Sequence, residues 1–177
     1  MLAKVCLCPD RTARFLLKRH ARWPEANQRD HPCVFSTVVQ DPVALSYARK
    51  NLINHGLSHR ARLCQADLFP SAPTDPYDLI VANPPYIDTA IIATLMPEVS
   101  RHEPRLALDG GSGGLDICRR LIQQAPQRLT ASGWLLLEHG YDQASSIAQL
   151  LTEAGFAQVL PVVKDYGGQP RVSGGCI

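Results

Sequence analysis

One short apolar run constrains the fold of this chain more than any other feature of its sequence. Residues 78–82 read DLIVA, and a continuous apolar run of this length suits a strand that is buried on both faces of a parallel sheet. The run ends abruptly in Asn83-Pro84-Pro85-Tyr86. Because proline fixes the backbone angle φ and lacks an N–H donor, the sequence predicts a buried strand that ends in a stiff turn.

Strand and helix patterns alternate on both sides of this run. β-Branched residues predict a strand over 34–39, and Asp41 followed by Pro42 is typical of a helix start, with Gly56 at the helix end. Further strands are predicted over 61–66, 134–138, 156–163 and 171–177, and further helices over 115–129 and 147–154. The alternation predicts an α/β domain with a mostly parallel sheet and an antiparallel C-terminal hairpin that turns at Gly167-Gly168.

The composition fits one soluble globular domain. The chain has 177 residues, of which 45% are apolar and 19% are charged, and no apolar run is long enough to span a membrane. The first residues also lack the long apolar stretch of a signal peptide. We therefore expect a cytoplasmic chain with no membrane span.

The cysteines predict neither a disulfide framework nor a metal site. Six cysteines in a chain of this length without a secretory signal are expected to be reduced. The candidate metal set consists of Cys6, Cys8, His31 and Cys33. It lacks the paired spacing of structural zinc sites, so no metal is predicted. Cys64 and Cys118 lie in apolar patterns and are expected to be small core residues.

The two ends of the chain differ in charge and in glycine content. Residues 1–62 hold eleven Lys or Arg against four Asp or Glu, whereas residues 63–177 hold seven against twelve. All twelve glycines lie at or after Gly56. Residues 1–33 fit no regular pattern, and we interpret them as an irregular basic N-terminal segment that precedes the α/β domain of residues 34–177.

The turn after the buried strand has a chemistry of its own. Ligands of open parallel sheets bind beyond the carboxyl ends of the strands. There the side-chain carbonyl of Asn83 and the backbone carbonyl of Pro84 can accept two hydrogen bonds from one NH2 group, and the ring of Tyr86 can lie against a planar substrate. Such a site would hold a weakly nucleophilic nitrogen in line with an electrophilic methyl group, which is catalysis by orientation. The alternative is that the segment only ends a strand.

Several segments of the sequence resemble one family. DLIVANPPYI resembles motif IV of the class I S-adenosylmethionine-dependent methyltransferases that modify planar nitrogens. Three later segments are similar to the bacterial release-factor glutamine methyltransferases, namely RHEPRLALDGGSGGLDICRRLI, WLLLEHGYDQ and DYGGQPRV. The resemblance covers residues 37–177 and implies a Rossmann-like methyltransferase sheet, with residues 34–177 as a partial catalytic domain.

The resemblance also implies an activity and a set of site residues. The activity is methyl transfer from S-adenosylmethionine to the glutamine side-chain amide in the Gly-Gly-Gln motif of peptide chain release factors. The implied catalytic residues are Asn83, Pro84 and Tyr86, and the implied substrate-binding residues are Asn83, Pro84, Pro85 and Tyr86. The implied cofactor-binding residues are Asp67 and Leu68, which would lie beside the adenine, and again Asn83.

Three other features lie near this site in the predicted fold. Glu138 and His139 end a strand, and a direct role and a charged strand end are equally open for them. Asp165 and Arg171 are expected to organise the terminal hairpin. The run Gly110–Gly114 lacks the Lys-Ser/Thr of a phosphate-binding loop, so we expect a flexible lead-in to the next helix.

The chain departs from the family in the part that binds the cofactor. The family begins with a strand and a glycine-rich loop, which lets the backbone approach the methionine part of the cofactor, whereas residues 9–13 contain no glycine. Val39 stands where an acidic residue would bind the ribose, and Asp41 is better explained as a helix cap. We therefore expect a truncated or disrupted member, with the first strand and glycine loop missing or degenerate, that binds the cofactor weakly or not at all.

Two other functions remain open. A nucleic-acid adenine-N6 methyltransferase would share the chemistry of the Asn83 turn, and the basic N-terminal segment could neutralise phosphates. Only Phe15 and Trp23 could stack on bases there, so direct nucleic-acid binding is not expected. The other alternative is a catalytically inactive fragment. The leading interpretation has release factors as the protein partners.

Overall fold

An eight-stranded sheet forms the centre of the computed structural model, which describes residues 4–8, 35–59, 61–71 and 76–177. The strands are β1 (Lys4–Cys8), β2 (Phe35–Val39), β3 (Ala61–Gln65), β4 (Tyr77–Asn83), β5 (Leu129–Glu138), β6 (Gln158–Val159), β7 (Val163–Lys164) and β8 (Pro170–Cys176). The α-helices are α1 (Pro42–Asn54), α2 (Pro97–Ser100), α3 (Asp116–Gln124) and α4 (Ala144–Glu153). Short 3-10 helices lie at Thr89–Thr94, Arg105–Ala107, Ser112–Gly114 and Ala125–Gln127.

The sheet has the mixed architecture that the sequence predicts. Its strand order is β3-β2-β1-β4-β5-β8-β6, and β7 also pairs with β8. Within this described sheet, β1 and β8 run in one direction and the other six strands run in the opposite direction. The α/β class with a mostly parallel sheet and antiparallel C-terminal strands is therefore confirmed.

The position between β2 and β4 is filled by a strand that the sequence patterns did not predict. β1 pairs with both neighbours and is antiparallel to both, so that Lys4 lies opposite Asn83 and Cys8 lies opposite Leu79. A filled position satisfies backbone groups of β2 and β4 that would otherwise form two unpaired edges. Five residues inside a basic segment are too short a run for periodicity to reveal. The rest of that segment, with His31 and Cys33 of the candidate metal set, lies outside the described residues.

Helix α1 begins where the sequence predicts. The carboxylate of Asp41 accepts hydrogen bonds from the N–H groups of Val43 (3.1 Å) and Ala44 (3.3 Å), and Pro42 takes the first helical position. This arrangement satisfies two of the N–H groups that have no partner inside the helix. The cap therefore fixes the path of the chain as it leaves β2.

The core lies where β4 and β5 pack against α3 and α4. Its fully buried side chains include Ile80, Leu121, Ile122, Leu135, Leu137, Ile147 and Leu151. The prediction of core positions for two cysteines is confirmed, because Cys118 is fully buried and Cys64 packs against the same core. Burial raises the pKa of the Cys118 thiol to about 12, so it is protonated at neutral pH. No helix in the described part combines the length and the apolar character needed to cross a bilayer.

Candidate active site

The predicted site begins at the carboxyl end of β4. Asn83 is the last residue of the strand and Tyr86 closes the turn, and both are half-buried. Pro84 and Pro85 between them are buried. We call Asn83-Pro84-Pro85-Tyr86 the acceptor turn. Because neither proline has an N–H group, the middle of this turn cannot be held by its own backbone donors.

A buried glutamine side chain holds the acceptor turn from outside. Gln143 precedes α4 and donates from Nε2 to the carbonyl oxygens of Tyr86 (2.9 Å) and Gly113 (3.1 Å). Its Oε1 accepts a hydrogen bond from the N–H of Gly140 (2.8 Å). Gln143 is not among the site residues that the sequence predicts. Its only signal was its place at the end of WLLLEHGYDQ, a segment used for resemblance alone.

The run Gly110–Gly114 packs directly against the acceptor turn. A Cβ atom at Gly110 would lie 2.8 Å from the Cα of Tyr86, and a Cβ at Gly114 would overlap the Tyr86 carbonyl oxygen. Gly114 also has a φ of 70°, a conformation that side chains other than glycine rarely adopt. The predicted lead-in to α3 is present, and Gly110 and Gly114 in it allow a close approach of two backbones.

The segment after the acceptor turn is fastened to the same glycine run. Ile87 donates to the Leu108 carbonyl (3.0 Å), and Gly110 donates back to the Ile87 carbonyl (2.8 Å). Asp109 accepts hydrogen bonds from the Thr89 hydroxyl and from the Gly111 N–H. These bonds, the one from Thr89 above all, hold the pKa of Asp109 below its ordinary value. An ionised Asp109 therefore joins Thr89, in the segment after the acceptor turn, to Gly111 of the glycine run.

The end of β5 contributes structure next to the site. His139 is fully buried, with Nδ1 at 2.7 Å from the Gly140 carbonyl and Nε2 at 2.9 Å from the Ser173 hydroxyl. Both ring nitrogens thus have partners inside the fold, which favours a structural role over a direct one. In the hairpin, Asp165 accepts from Arg171 Nε (3.0 Å) and from backbone N–H groups of the turn, as predicted. These hydrogen bonds lower the pKa of Asp165.

The predicted adenine-binding residues follow β3, on the other side of β1. Asp67 forms an ion pair with Arg120 of α3 at 2.5 Å, and both side chains are about half exposed. Leu68 is buried at a φ of 65°, in a three-residue turn closed by a 2.8 Å hydrogen bond from Phe69 N–H to the Asp67 carbonyl. Such a turn is rare and strained for a leucine, and strain of this kind clusters at functional sites. Three strand spacings, roughly 14 Å, separate the ends of β3 and β4.

The described residues fit only part of an S-adenosylmethionine site. At the end of β2, Val39 is buried, and the carboxylate of Asp41 is already engaged with two N–H groups of α1. Because β1 is antiparallel to β4, its last residue, Cys8, lies opposite Leu79, roughly 13 Å along the strand from the edge that carries Asn83. The strand β1 therefore ends toward the opposite edge of the sheet. At the end of β2, the described residues therefore offer the ribose no carboxylate other than that of the helix cap Asp41.

Proteins with similar sequences carry one recurring name. The release factor glutamine methyltransferase of Geobacter sulfurreducens is 41% identical over 152 residues, which is 86% of this chain and 52% of the relative. That of Caulobacter vibrioides is 44% identical over 73% of this chain and 44% of the relative. The ribosomal protein uL3 glutamine methyltransferase of Bordetella pertussis is 42% identical over 69% of this chain and 39% of the relative. The chain thus spans about half the length of the curated relatives it matches, or less.

Solved structures share the fold at low sequence identity. The catalytic domain of human Mettl16, in complex with the MAT2A 3'UTR hairpin 1, superposes with a TM-score of 0.61 and 18% identity over 78% of this chain and 53% of its own. The ribosomal protein L11 methylase of Lactobacillus delbrueckii subsp. bulgaricus gives a TM-score of 0.51 and 20% identity over 78% and 54%. No family model matches the chain. The class I methyltransferase fold and the resemblance to the release-factor glutamine methyltransferases are thus both confirmed, over most of this chain and about half of each relative.

Proposed function

We propose that this chain serves in the S-adenosylmethionine-dependent methylation of the Gly-Gly-Gln glutamine of peptide chain release factors. Its described residues carry the recognition of the acceptor amide, and residues 34–177 form the catalytic part. The names of the relatives support this class of reaction. A substrate of this kind places the protein in the cytoplasm.

The chemistry of the acceptor turn supports an amide as the substrate group. The Asn83 side-chain carbonyl and the Pro84 backbone carbonyl would each accept one hydrogen bond from the NH2 group of the glutamine. The Tyr86 ring would lie against the planar amide and Pro85 would complete the wall of the site. A carboxylate lacks the two N–H groups, so the same site would bind glutamate poorly.

In this reaction the main task of the protein is to orient the amide nitrogen, and no strong base is required. S-adenosylmethionine, when bound, supplies the electrophilic methyl group. The amide nitrogen is a weak nucleophile, and holding it in a fixed direction is what raises its reactivity. The observation that carries the proposal is that the acceptor turn is held in one conformation by Gln143 and by the glycine run at Gly114.

We propose that the part of the site that would bind the methyl donor is incomplete. Asp67 and Leu68 would contact the adenine and Asn83 would face the reacting part of the cofactor, whereas the described part of the chain offers no carboxylate for the ribose at the end of β2. We therefore expect S-adenosylmethionine to bind weakly. Calorimetric titration of the whole chain tests this expectation, and a micromolar affinity would contradict it.

One experiment separates the proposed substrate from the alternatives. The chain is incubated with methyl-labelled S-adenosylmethionine at high concentration and with a release factor, a release factor carrying glutamate in place of the target glutamine, or unmethylated DNA. We expect label only in the first protein. Label in the DNA would favour the adenine-N6 alternative, and an absence of label in all three would favour the inactive fragment.

A separate binding measurement tests recognition of the glutamine even if methyl transfer is slow. Binding of a Gly-Gly-Gln peptide and of its Gly-Gly-Glu counterpart is measured by calorimetry, without any methyl donor. The proposed acceptor turn requires a preference for the glutamine peptide. Equal affinities for the two peptides would refute the proposed recognition even if the fold is intact.

A further inference from the structure

We infer that Gln143 is a positioning residue that sets the geometry of the acceptor turn. The inference rests on the proposed function, because it assigns a role toward the glutamine amide. Gln143 itself would not touch the substrate. It would act through the carbonyl of Tyr86, which directly follows the two prolines of the turn.

The side chain of Gln143 uses both of its N–H donors and its oxygen acceptor inside the fold. Nε2 contacts the Tyr86 carbonyl at 2.9 Å and the Gly113 carbonyl at 3.1 Å, while Oε1 accepts from Gly140 at 2.8 Å. These partners lie in the turn after β4, in the run before α3 and in the loop after β5. The residue is 7% exposed, so each lost hydrogen bond would leave a buried polar group without a partner.

The acceptor turn needs such a contact because of its own sequence. Two prolines remove two backbone donors, and the Pro84 carbonyl must stay available for the substrate in the proposed recognition. A hydrogen bond to the carbonyl of Tyr86, the residue after the two prolines, fixes the plane of the peptide group that follows. Fixing that plane also fixes the backbone at the end of the turn, from which the Tyr86 side chain projects.

The neighbouring glycines are shaped around the same side chain. A Cβ atom at Gly114 would lie 2.7 Å from Gln143 Nε2, and a Cβ at Gly140 would lie 3.0 Å from Gln143 Oε1. Two loops that are far apart in the sequence therefore leave room for one amide group. This joint accommodation distinguishes Gln143 from Gln149 within α4, which is exposed and donates to the carboxylate of Glu153 (2.7 Å).

Three variants of the whole chain test the inference. Gln143→Glu keeps the size but cannot donate to two carbonyl oxygens, Gln143→Leu removes the polar group, and Gln149→Leu is the matched control. The readouts are thermal unfolding and the dissociation constants for the Gly-Gly-Gln and Gly-Gly-Glu peptides. Both Gln143 variants should weaken glutamine-peptide binding about tenfold and lose most of the preference over glutamate. Gln149→Leu should keep both values.

The ratio of the dissociation constants for the two peptides distinguishes a positioning role of Gln143 from a purely stabilising one. If both folded Gln143 variants melt at lower temperature but keep the wild-type preference for glutamine, the side chain only stabilises the fold and the inference is wrong. If the wild-type chain itself shows no preference, the proposed function fails and the inference fails with it. A Gln143→Glu variant that does not fold leaves the decision to Gln143→Leu, whose buried side chain is apolar.

Discussion

The two sides of the sheet edge that carries Asn83 differ in how closely their residues fit a binding site. On the acceptor side, which comprises β4, β5 and their loops, the turn after Asn83 is held by a buried glutamine and by a glycine run without room for a Cβ. On the donor side, which comprises β1 to β3, the carboxylate nearest the edge after β2 serves as a helix cap. The strand β1 there is also antiparallel to both of its neighbours, β2 and β4.

The difference shows that the presence of a strand in the sheet does not decide at which edge the loop after that strand begins. A sheet position can be filled by a strand of either direction, because both directions provide a ladder of backbone hydrogen bonds. The loop that follows the strand, however, changes edges when the direction changes. The antiparallel β1 therefore completes the sheet between β2 and β4, and its last residue, Cys8, lies opposite Leu79 and not opposite Asn83.

The largest expected effect tests how tightly the acceptor side is packed. Gly114→Ala forces a Cβ onto the Tyr86 carbonyl oxygen at a φ of 70°, so we expect a loss of about 2–5 kcal/mol in the free energy of unfolding. Gly113→Ala is the matched control, because it shares the positive φ but has open space around it. It should lose only about 1 kcal/mol. Equal losses in urea denaturation would show that strain, and not contact with the turn, sets the requirement.

The next effect concerns recognition instead of stability. Asn83→Ala removes one of the two proposed acceptors for the glutamine NH2 group, and we expect its affinity for a Gly-Gly-Gln peptide to fall by about 2 kcal/mol, roughly 30-fold. Affinity for the Gly-Gly-Glu peptide should change little. Asn51→Ala, on the exposed face of α1, is the control. A parallel loss for both peptides would mean that Asn83 shapes the turn without reading the amide.

Sequence patterns were most informative where local chemistry decides the structure. The strand that ends at Asn83, the cap at Asp41 and the hairpin organised by Asp165 each follow from residues close together in the chain. The same holds for the acceptor turn, whose two prolines predict a stiff turn at the end of a buried strand. These features could be predicted because the residues that cause them lie within a few positions.

Features that depend on distant partners were not predictable in this way. The contact from Gln143 to Tyr86 spans 57 positions, and no periodicity marks one glutamine at a helix start. The pairing of β1 depends on the edges that β2 and β4 leave open, a property of the assembled sheet. The strained turn at Leu68 brings Leu68 and Phe69 into the core directly after β3, although leucine disfavours that backbone conformation.

The donor side offers a smaller test. Asp41→Ala removes the cap of α1 and should cost about 1 kcal/mol in the free energy of unfolding. Since that carboxylate is occupied by Val43 and Ala44, the variant should leave the affinity for S-adenosylmethionine unchanged. A weaker affinity in calorimetry would show that Asp41 does reach the cofactor, and the contrast between the two sides would then be smaller than the structure indicates.

The smallest expected effect depends on pH and again compares the two sides. The pKa of Asp109 is lower in the folded chain than its ordinary value, chiefly because the Thr89 hydroxyl donates to it. Its hydrogen bonds therefore stabilise the fold fully above the ordinary pKa range of aspartate, and this stabilisation is lost as the pH falls through the folded-state pKa. Thr89→Val should cost about 0.5–1 kcal/mol at neutral pH and progressively less in acid. Arg120→Ala, which breaks the exposed donor-side ion pair with Asp67, should cost less than about 0.5 kcal/mol at neutral pH. Urea denaturation at several pH values measures both variants, and a Thr89→Val loss that is the same at every pH would mean that the hydroxyl does not act through the ionised Asp109.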